Sequence, residues 1–491
     1  MESATKNLDS DADVSKQMGW RHVQALLLFS GMATAYALRV CMSVAIVAMR
    51  SKESANPDFP EYDWDQQTSS LILSSFYWGY VFTQFPSGYL ARTWSAKKLL
   101  GFGIFTCSAF NVITPFVSEY GHVPVIISRV AMGLSQGCLI PCVHTLMSRW
   151  VPPTERARLG SLVSNATQFG TLITLAISGV LAASRFGWPS IFYAVGTSGI
   201  LWSILFLYAG ADYPSEHPSI SHEEAEYINT SLGSLDKIAD AEKPKIPWKA
   251  ILTSLPLWAN IISNSGNIYG FYTLLTQLPT YMKYVLNFDI SQNGGISALP
   301  YLAMWLMGFP ISYLADYALA KGVSCACVRK VCSTIGLWIP AVALVVFCLV
   351  PTTDKVVPIA ILVVAVGFNS GVSCSTQINH IDLSPNFTST VAPIASTIHN
   401  VIGILAPYIC GIIVTEEHNV DQWHIVFYVT AAVYFVTNLI FLIFGQAEVQ
   451  PWNDPNYQSK PTLEEPKTFI KENVRQNSYT ESLERRKNIL P

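Results

Sequence analysis

Two arginines carry most of the chemistry that can be read from this chain. Of its 30 lysines and arginines, only Arg39 and Arg129 fall well inside long apolar stretches. A guanidinium at bilayer depth is costly, so such a residue faces a water-filled cavity or a partner rather than lipid. Its planar fork of donors suits a carboxylate or a phosphate. No Asp or Glu falls deep in any apolar stretch, which leaves a small anionic solute as the natural partner. The alternative is a guanidinium that snorkels to an interface or is tied to backbone carbonyls. The absence of embedded acids also removes the usual proton carriers and leaves His144, His380 and His399 as titratable groups. Hydrogen-bonded helix-end histidines remain the competing reading for these three.

Other polar residues cluster near these arginines. Tyr36 precedes Arg39 by three positions and joins the candidate anion site. The seventh apolar stretch has a polar face with Asn264, Asn267, Tyr269, Tyr272 and Gln277. Asn267, Tyr269 and Tyr272 are candidate substrate contacts, although amides and hydroxyls also serve as glue between membrane helices. Asn369, Ser373, Gln377 and Asn379 form a similar ladder on the tenth stretch, with the same two readings. On short connections, Glu155 with Arg156, and Asp316 with Arg329 or Lys330, are charge sets that could hold one state of a moving protein and release in another.

The elements that position these residues follow from composition. The 491 residues are 51% hydrophobic and only 13% charged, too apolar for a soluble surface. About a dozen stretches reach the roughly 20 residues needed to cross a bilayer. Six are expected at Val23–Met49, Ser70–Ala91, Leu99–Val117, Val123–Ser148, Leu159–Ala183 and Trp188–Ala209. Six more are expected at Leu255–Met282, Ile296–Ala315, Val331–Val350, Val356–Asn379, Val391–Val414 and Trp423–Phe444. The organisation read from this is a polar segment 1–22, a helical bundle 23–209, a central loop 210–254, a second bundle 255–446 and a tail 447–491. Lysines and arginines concentrate on one side, at Arg21, Lys97, Lys98, Arg149, Lys249, Arg329, Lys330 and the tail. That bias puts both termini and the central loop in the cytosol. The runs PSGYLAR and PISYLAD, at Pro86 and Pro310, close the second stretch of each half and suggest an internal repeat.

Several functions are disfavoured. Ten scattered cysteines, mostly within apolar stretches, read as packing residues, and no His or Cys set completes a zinc site. No nucleophile and base share a face, so an enzyme is not expected, nor is a cofactor, metal or nucleic-acid partner. The expected partners are a small anion and the lipid bilayer, with the monomer as the working unit. The ERRKNIL run at Glu484–Leu490 is near a dileucine sorting signal but out of register, so plasma membrane and endolysosomal or vesicular membranes both stay open.

The motif IISRVAMGLSQGCLIP followed by WVPPTERARL, with YALRVCMSVAIVAM, SSFYWGYVFTQFPSGYLA, FYTLLTQLPTYM, INHIDLSP and AEVQPWNDP, resembles the anion:cation symporter branch of the major facilitator superfamily. This is solute carrier family seventeen, which holds sialin, the vesicular glutamate transporters and the type I sodium-phosphate cotransporters. The resemblance runs from about Arg21 to Pro455. It implies an all-α membrane protein with the major facilitator fold, twelve transmembrane helices in two six-helix bundles. It further implies alternating-access transport of a small organic anion or inorganic phosphate, with Arg39 and Arg129 as anion-binding arginines and Na+ or H+ as coupling ion. Three departures stand out. The glutamate seven residues after the second arginine is Gln136, which bears on proton coupling. The usual asparagine two residues after the first is Cys41. Leu73 and Asn267 stand where glutamate carriers have a histidine and an arginine, which argues against glutamate as substrate. The superfamily's aspartate after the second span is Arg92, while the second half keeps Asp316. Rival readings are a non-transporting receptor or scaffold that kept the fold, and an uncoupled facilitative carrier.

Overall fold

The computed structural model describes residues 18–50, 56, 58–152, 155–239, 246–350 and 355–454. The sorting-like run in the tail lies outside them. Among the described residues every regular element is helical. The first six long helices are Trp20–Met49, Gln66–Leu90, Ala96–Ser118, a fourth in two pieces (His122–Gln136 and Leu139–Trp150), Arg156–Ala183 and Pro189–Ala209. The second six are Leu255–Tyr284, Ile290–Ala320, Cys325–Leu349, a broken tenth beginning Val356–Phe368, Thr388–Ile413 and Val420–Phe444. A surface helix, His222–Ala239, lies in the central loop.

Among the described residues, ten helical stretches are long and apolar enough to cross a membrane. The second and seventh helices fall outside that group, and both carry the polar faces that meet at the centre of the molecule. A helix lined with Ser, Tyr, Asn and Gln survives at bilayer depth only by turning those groups toward protein or water.

Packing repeats between the halves. The first helix packs on the fifth, the second on the fourth and the third on the sixth, and the same pairing recurs as seventh on eleventh, eighth on tenth and ninth on twelfth. The halves meet through the second against the eleventh, the fifth against the eighth, and the first against the seventh. Small residues permit the closest approaches: a Cβ on Gly133 would lie 1.9 Å from the Phe76 carbonyl oxygen, so the second and fourth helices touch backbone to backbone there.

Two helices break for local reasons. In the fourth, Pro141 has no N–H for the Gly137 carbonyl. That carbonyl instead accepts from Ser87 Oγ at 3.2 Å. The tenth was expected to run unbroken over Val356–Asn379, but the α-helix stops at Phe368. It tightens into a 3-10 stretch over Asn369–Cys374 and resumes briefly as Asn379–Leu383. Asn369 Nδ2 donates to the Gly336 carbonyl and Ser370 Oγ to the Gly367 carbonyl, and such side-chain bonds compete with the α-helical ladder.

Candidate functional site

Arg39 and Arg129 come together at the core of the first six helices. Arg39 is 4% exposed and Arg129 2%. Both guanidinium carbons lie 5.0 Å from the Phe76 ring centre. Arg39 also sits 4.7 Å from the ring of Tyr36 and 4.6 Å from that of Tyr80. Arg39 Nη1 donates to the Tyr272 hydroxyl at 3.4 Å, and Arg129 Nη2 donates to the Arg39 backbone carbonyl at 3.4 Å. Four guanidinium nitrogens, Nε and Nη2 of Arg39 and Nε and Nη1 of Arg129, meet no acceptor in hydrogen-bonding geometry. A small cavity of about 10 Å³, room for one water, lies between Arg39, Ser43, Tyr77, Arg129 and Thr276.

Tyr272 links this centre to the other half of the molecule. Its hydroxyl donates to Asn400 Oδ1 at 3.2 Å, and Asn400 Nδ2 donates to Gln84 Oε1 at 3.0 Å. The chain of bonds thus runs from the first helix through the seventh and eleventh to the second. Sequence spacing gave no hint of Asn400 or Gln84, because each acts through a partner more than a hundred residues away.

The seventh-helix set divides. Tyr272 reaches Arg39, but Asn267 turns the other way and its Oδ1 accepts from Asn369 Nδ2 at 2.8 Å. Tyr269 lies in the apolar core with Cys410 of the eleventh helix as a neighbour. Five residues separate Asn267 from Tyr272, about 140° around a helix, so one cannot share the other's face. Gln277 meets Gln66 of the second helix at 2.9 Å.

Gln136 fills its position as a donor: its Nε2 bonds the Ala35 carbonyl at 2.9 Å and Cys107 Sγ at 3.3 Å, while its Oε1 is buried without a partner. A protonated glutamate could keep the donor bond, and an ionised one could not. For Gln136→Glu we expect uptake to rise as pH falls, with little pH dependence in the parent. Identical pH profiles for the two in proteoliposomes would remove position 136 from proton coupling.

Of the expected charge sets, that of Asp316 with Arg329 is re-paired. The Arg156 side chain lies outside the described ones, and Glu155 has another partner. It accepts from Arg21 Nε at 2.9 Å, and Arg21 also bonds Glu224 of the surface helix at 3.0 Å. Arg329 is bonded to Asp382 at 2.8 and 3.3 Å and to the Cys374 carbonyl at 2.8 Å, whereas Asp316 is exposed. These pairings stitch helix ends within each half. Between the halves, the end opposite the basic one is closed by an ion pair of Arg50 with Glu417 and by the Gln66–Gln277 bond. At the basic end His144 of the fourth helix is exposed. Among the described residues no group of His, Cys, Asp and Glu could hold a metal ion.

Residues 27–407 match the Major Facilitator Superfamily. The chain is 40% identical to a Drosophila ananassae protein named "Putative inorganic phosphate cotransporter", over 90% of this chain and 96% of that one. The chain belongs to the major facilitator superfamily, in its solute carrier seventeen branch. It is 37% identical to Homo sapiens sialin over 88% of this chain and 90% of that one, and 32% identical to Homo sapiens vesicular glutamate transporter 2 over 92% and 78%. Among solved structures it is similar to a bacterial homologue of the lysosomal transporter Spinster in an inward-facing, occupied conformation (TM-score 0.64, 12% identity, 87% of this chain and 97% of that one). It is also similar to a D-xylose-proton symporter (TM-score 0.63, 13% identity, 86% and 97%). The chain is therefore a multi-pass membrane transporter and not an enzyme.

Proposed function

We propose that this transporter moves a small organic anion, with inorganic phosphate as the second candidate, by alternating access between helices of 23–209 and 255–446. The observation that carries the reading is the pair of buried arginines with four free N–H-bearing nitrogens and no carboxylate bonded to either. A bound carboxylate or phosphate supplies the missing acceptors and the compensating charge. Tyr36 and Tyr272 flank the anion, and Asn267 and Tyr269 do not belong to the site. Two of the relatives' names, an inorganic phosphate cotransporter and a vesicular glutamate transporter, support an anionic cargo.

The lysine and arginine bias supports placing the basic end in the cytosol, so that the ties of Arg50 with Glu417 and of Gln66 with Gln277 close the outer end. The cavity between the arginines is too small for a substrate, so binding requires the seventh helix to move away from the first. The coupling ion is Na+ or H+, the monomer is the working unit, and the membrane is the plasma membrane or an endolysosomal or vesicular one. The test is uptake by proteoliposomes of a panel of carboxylates, sulfonates and phosphate under sodium or proton gradients. Saturable flux of at least one anion, competed by others, is the expected result. Absence of any anion flux under either gradient would favour a non-transporting scaffold.

A further inference from the structure

Away from the arginine pair, the second half carries an apolar groove of about 700 Å³ between the ninth and tenth helices. That volume lies within the roughly 300–1,000 Å³ of sites that hold a small molecule. The rim is open, with Val342 of the ninth helix 63% exposed and Val356 of the tenth 72%. In a chain that spans a membrane, such a rim is continuous with the surface that meets the bilayer. What fills the groove there is hydrocarbon, because the bilayer core offers no water. Along the ninth helix the groove runs from Thr334 to Val346, about 18 Å at 1.5 Å per residue. Thr334 itself stands about 14 Å from the start of that helix at Cys325, on the basic side. The groove therefore begins near the middle of a hydrocarbon core about 30 Å thick and ends at the interface away from the basic end. Its occupant is the length of one leaflet.

The wall is stiff as well as apolar. Eight of its twelve residues are Val or Ile, which hold one χ1 rotamer on a helix, and none is the more flexible Leu or Met. Trp338 is pinned, since its Nε1 donates to the Phe435 carbonyl at 3.2 Å and its ring stacks on Phe435 with centres 5.0 Å apart and planes 15° from parallel. The small side chains of Ala343 and Ala360, one on each helix, leave the hollow. A preformed wall of this kind favours a rigid occupant. A fused ring system gives up little conformational freedom on binding, whereas an acyl chain loses its rotamers. The one hydroxyl in the wall is already committed at the deep end. Thr334 Oγ1 donates to the Lys330 carbonyl at 2.8 Å and accepts from Asn438 Nδ2 at 3.5 Å. A polar group on the occupant must then lie at the interfacial mouth, near Val356, where water can reach it.

We infer that the groove between the ninth and tenth helices binds a membrane sterol, with its hydroxyl at the Val356 mouth and its tail toward Thr334. A sterol is rigid, apolar, one leaflet long and polar at one end, which are the four properties the groove selects. The site is separate from the arginine pair and does not depend on the anion reading. Bound there, a sterol braces the tenth helix just before its break, since Val364 lines the groove and the α-helix ends at Phe368.

The experiment is photolabelling of the purified full chain in phosphatidylcholine liposomes with a diazirine-bearing cholesterol, the labelled residues being located by mass spectrometry. A diazirine-bearing fatty acid forms a parallel arm. Saturable sterol labelling of the groove residues of the ninth and tenth helices, competed by plain cholesterol, is the expected result. Ala360→Trp places an indole in the groove from an exposed position and should lose most of the labelling. Val342→Trp does the same from the opposite wall and decides the matter if the first variant does not fold. Labelling that never saturates, spreads evenly over the apolar surface or survives in a folded variant would overturn the site. A fatty-acid label in the groove that cholesterol does not displace would give the groove to an acyl chain, and a cross-link between two chains there would give it to a second copy. Arg39→Ala should label like the parent, so failure of the anion site and failure of the sterol site give different results.

Discussion

Arg39→Ala should abolish anion uptake while leaving a folded, membrane-inserted protein. Arg39 donates to the Tyr272 hydroxyl and lies among the rings of Tyr36, Phe76, Tyr77 and Tyr80, the last of which is also a hydrogen-bond neighbour. Removing the guanidinium thus costs little hydrogen bonding within the protein and lifts a buried, poorly compensated charge. For a bound anion the loss is larger, since truncating one side of a buried charged pair costs about 2–5 kcal/mol, a factor of about 30 to several thousand in affinity. Arg39→Lys keeps the charge but not the fork and should recover only part of the uptake. The checks are initial-rate uptake in proteoliposomes and size-exclusion of the purified variant. Uptake near the parent level in a well-folded Arg39→Ala protein would remove Arg39 from the binding site. Arg129→Ala should also lose uptake, with an added structural component, because Arg129 Nη2 holds the backbone carbonyl of Arg39 itself.

The second large effect is on stability and lies at the basic end. Arg329 is bonded through Nε and Nη2 to Asp382 and through Nη1 to the Cys374 carbonyl, with its side chain 10% exposed. Asp382→Ala strands that guanidinium. Breaking a buried pair costs about 3–5 kcal/mol, and the 21% exposure of the Asp382 side chain points to the lower end of that range. The expected result is a clear drop in melting temperature and in the yield of folded protein. The double variant Arg329→Met with Asp382→Leu should regain much of the loss, because replacing both charges by apolar groups removes the uncompensated one. A single variant as stable as the parent would show that the pair contributes nothing to holding the ninth helix against the segment after the tenth.

Much of the fold could be read from the chain because the bilayer imposes a strong local rule. Long uncharged stretches must be helices, and charge is expelled to their ends. Arg39 and Arg129 stood out for the same reason, as the only basic residues that break the rule. The tenth helix shows where this logic stops. Its composition is apolar enough to span, and only Asn369 bonding across to Gly336 and Asn267 reveals why the α-helix ends at Phe368.

By itself, the sequence determined the twelve helices, the basic side and the two intramembrane arginines, all consequences of residue type along a helix and of transfer into hydrocarbon. Only the tertiary structure decided which polar groups meet. It joined Tyr272 to Arg39 and turned Asn267 and Tyr269 elsewhere, gave Glu155 to Arg21 and Arg329 to Asp382, and showed four arginine nitrogens left without an acceptor. These partners lie from tens to hundreds of residues apart in the chain. Spacing fixes which face of its own helix a residue occupies, while the partner depends on how that helix is rotated and packed against the others.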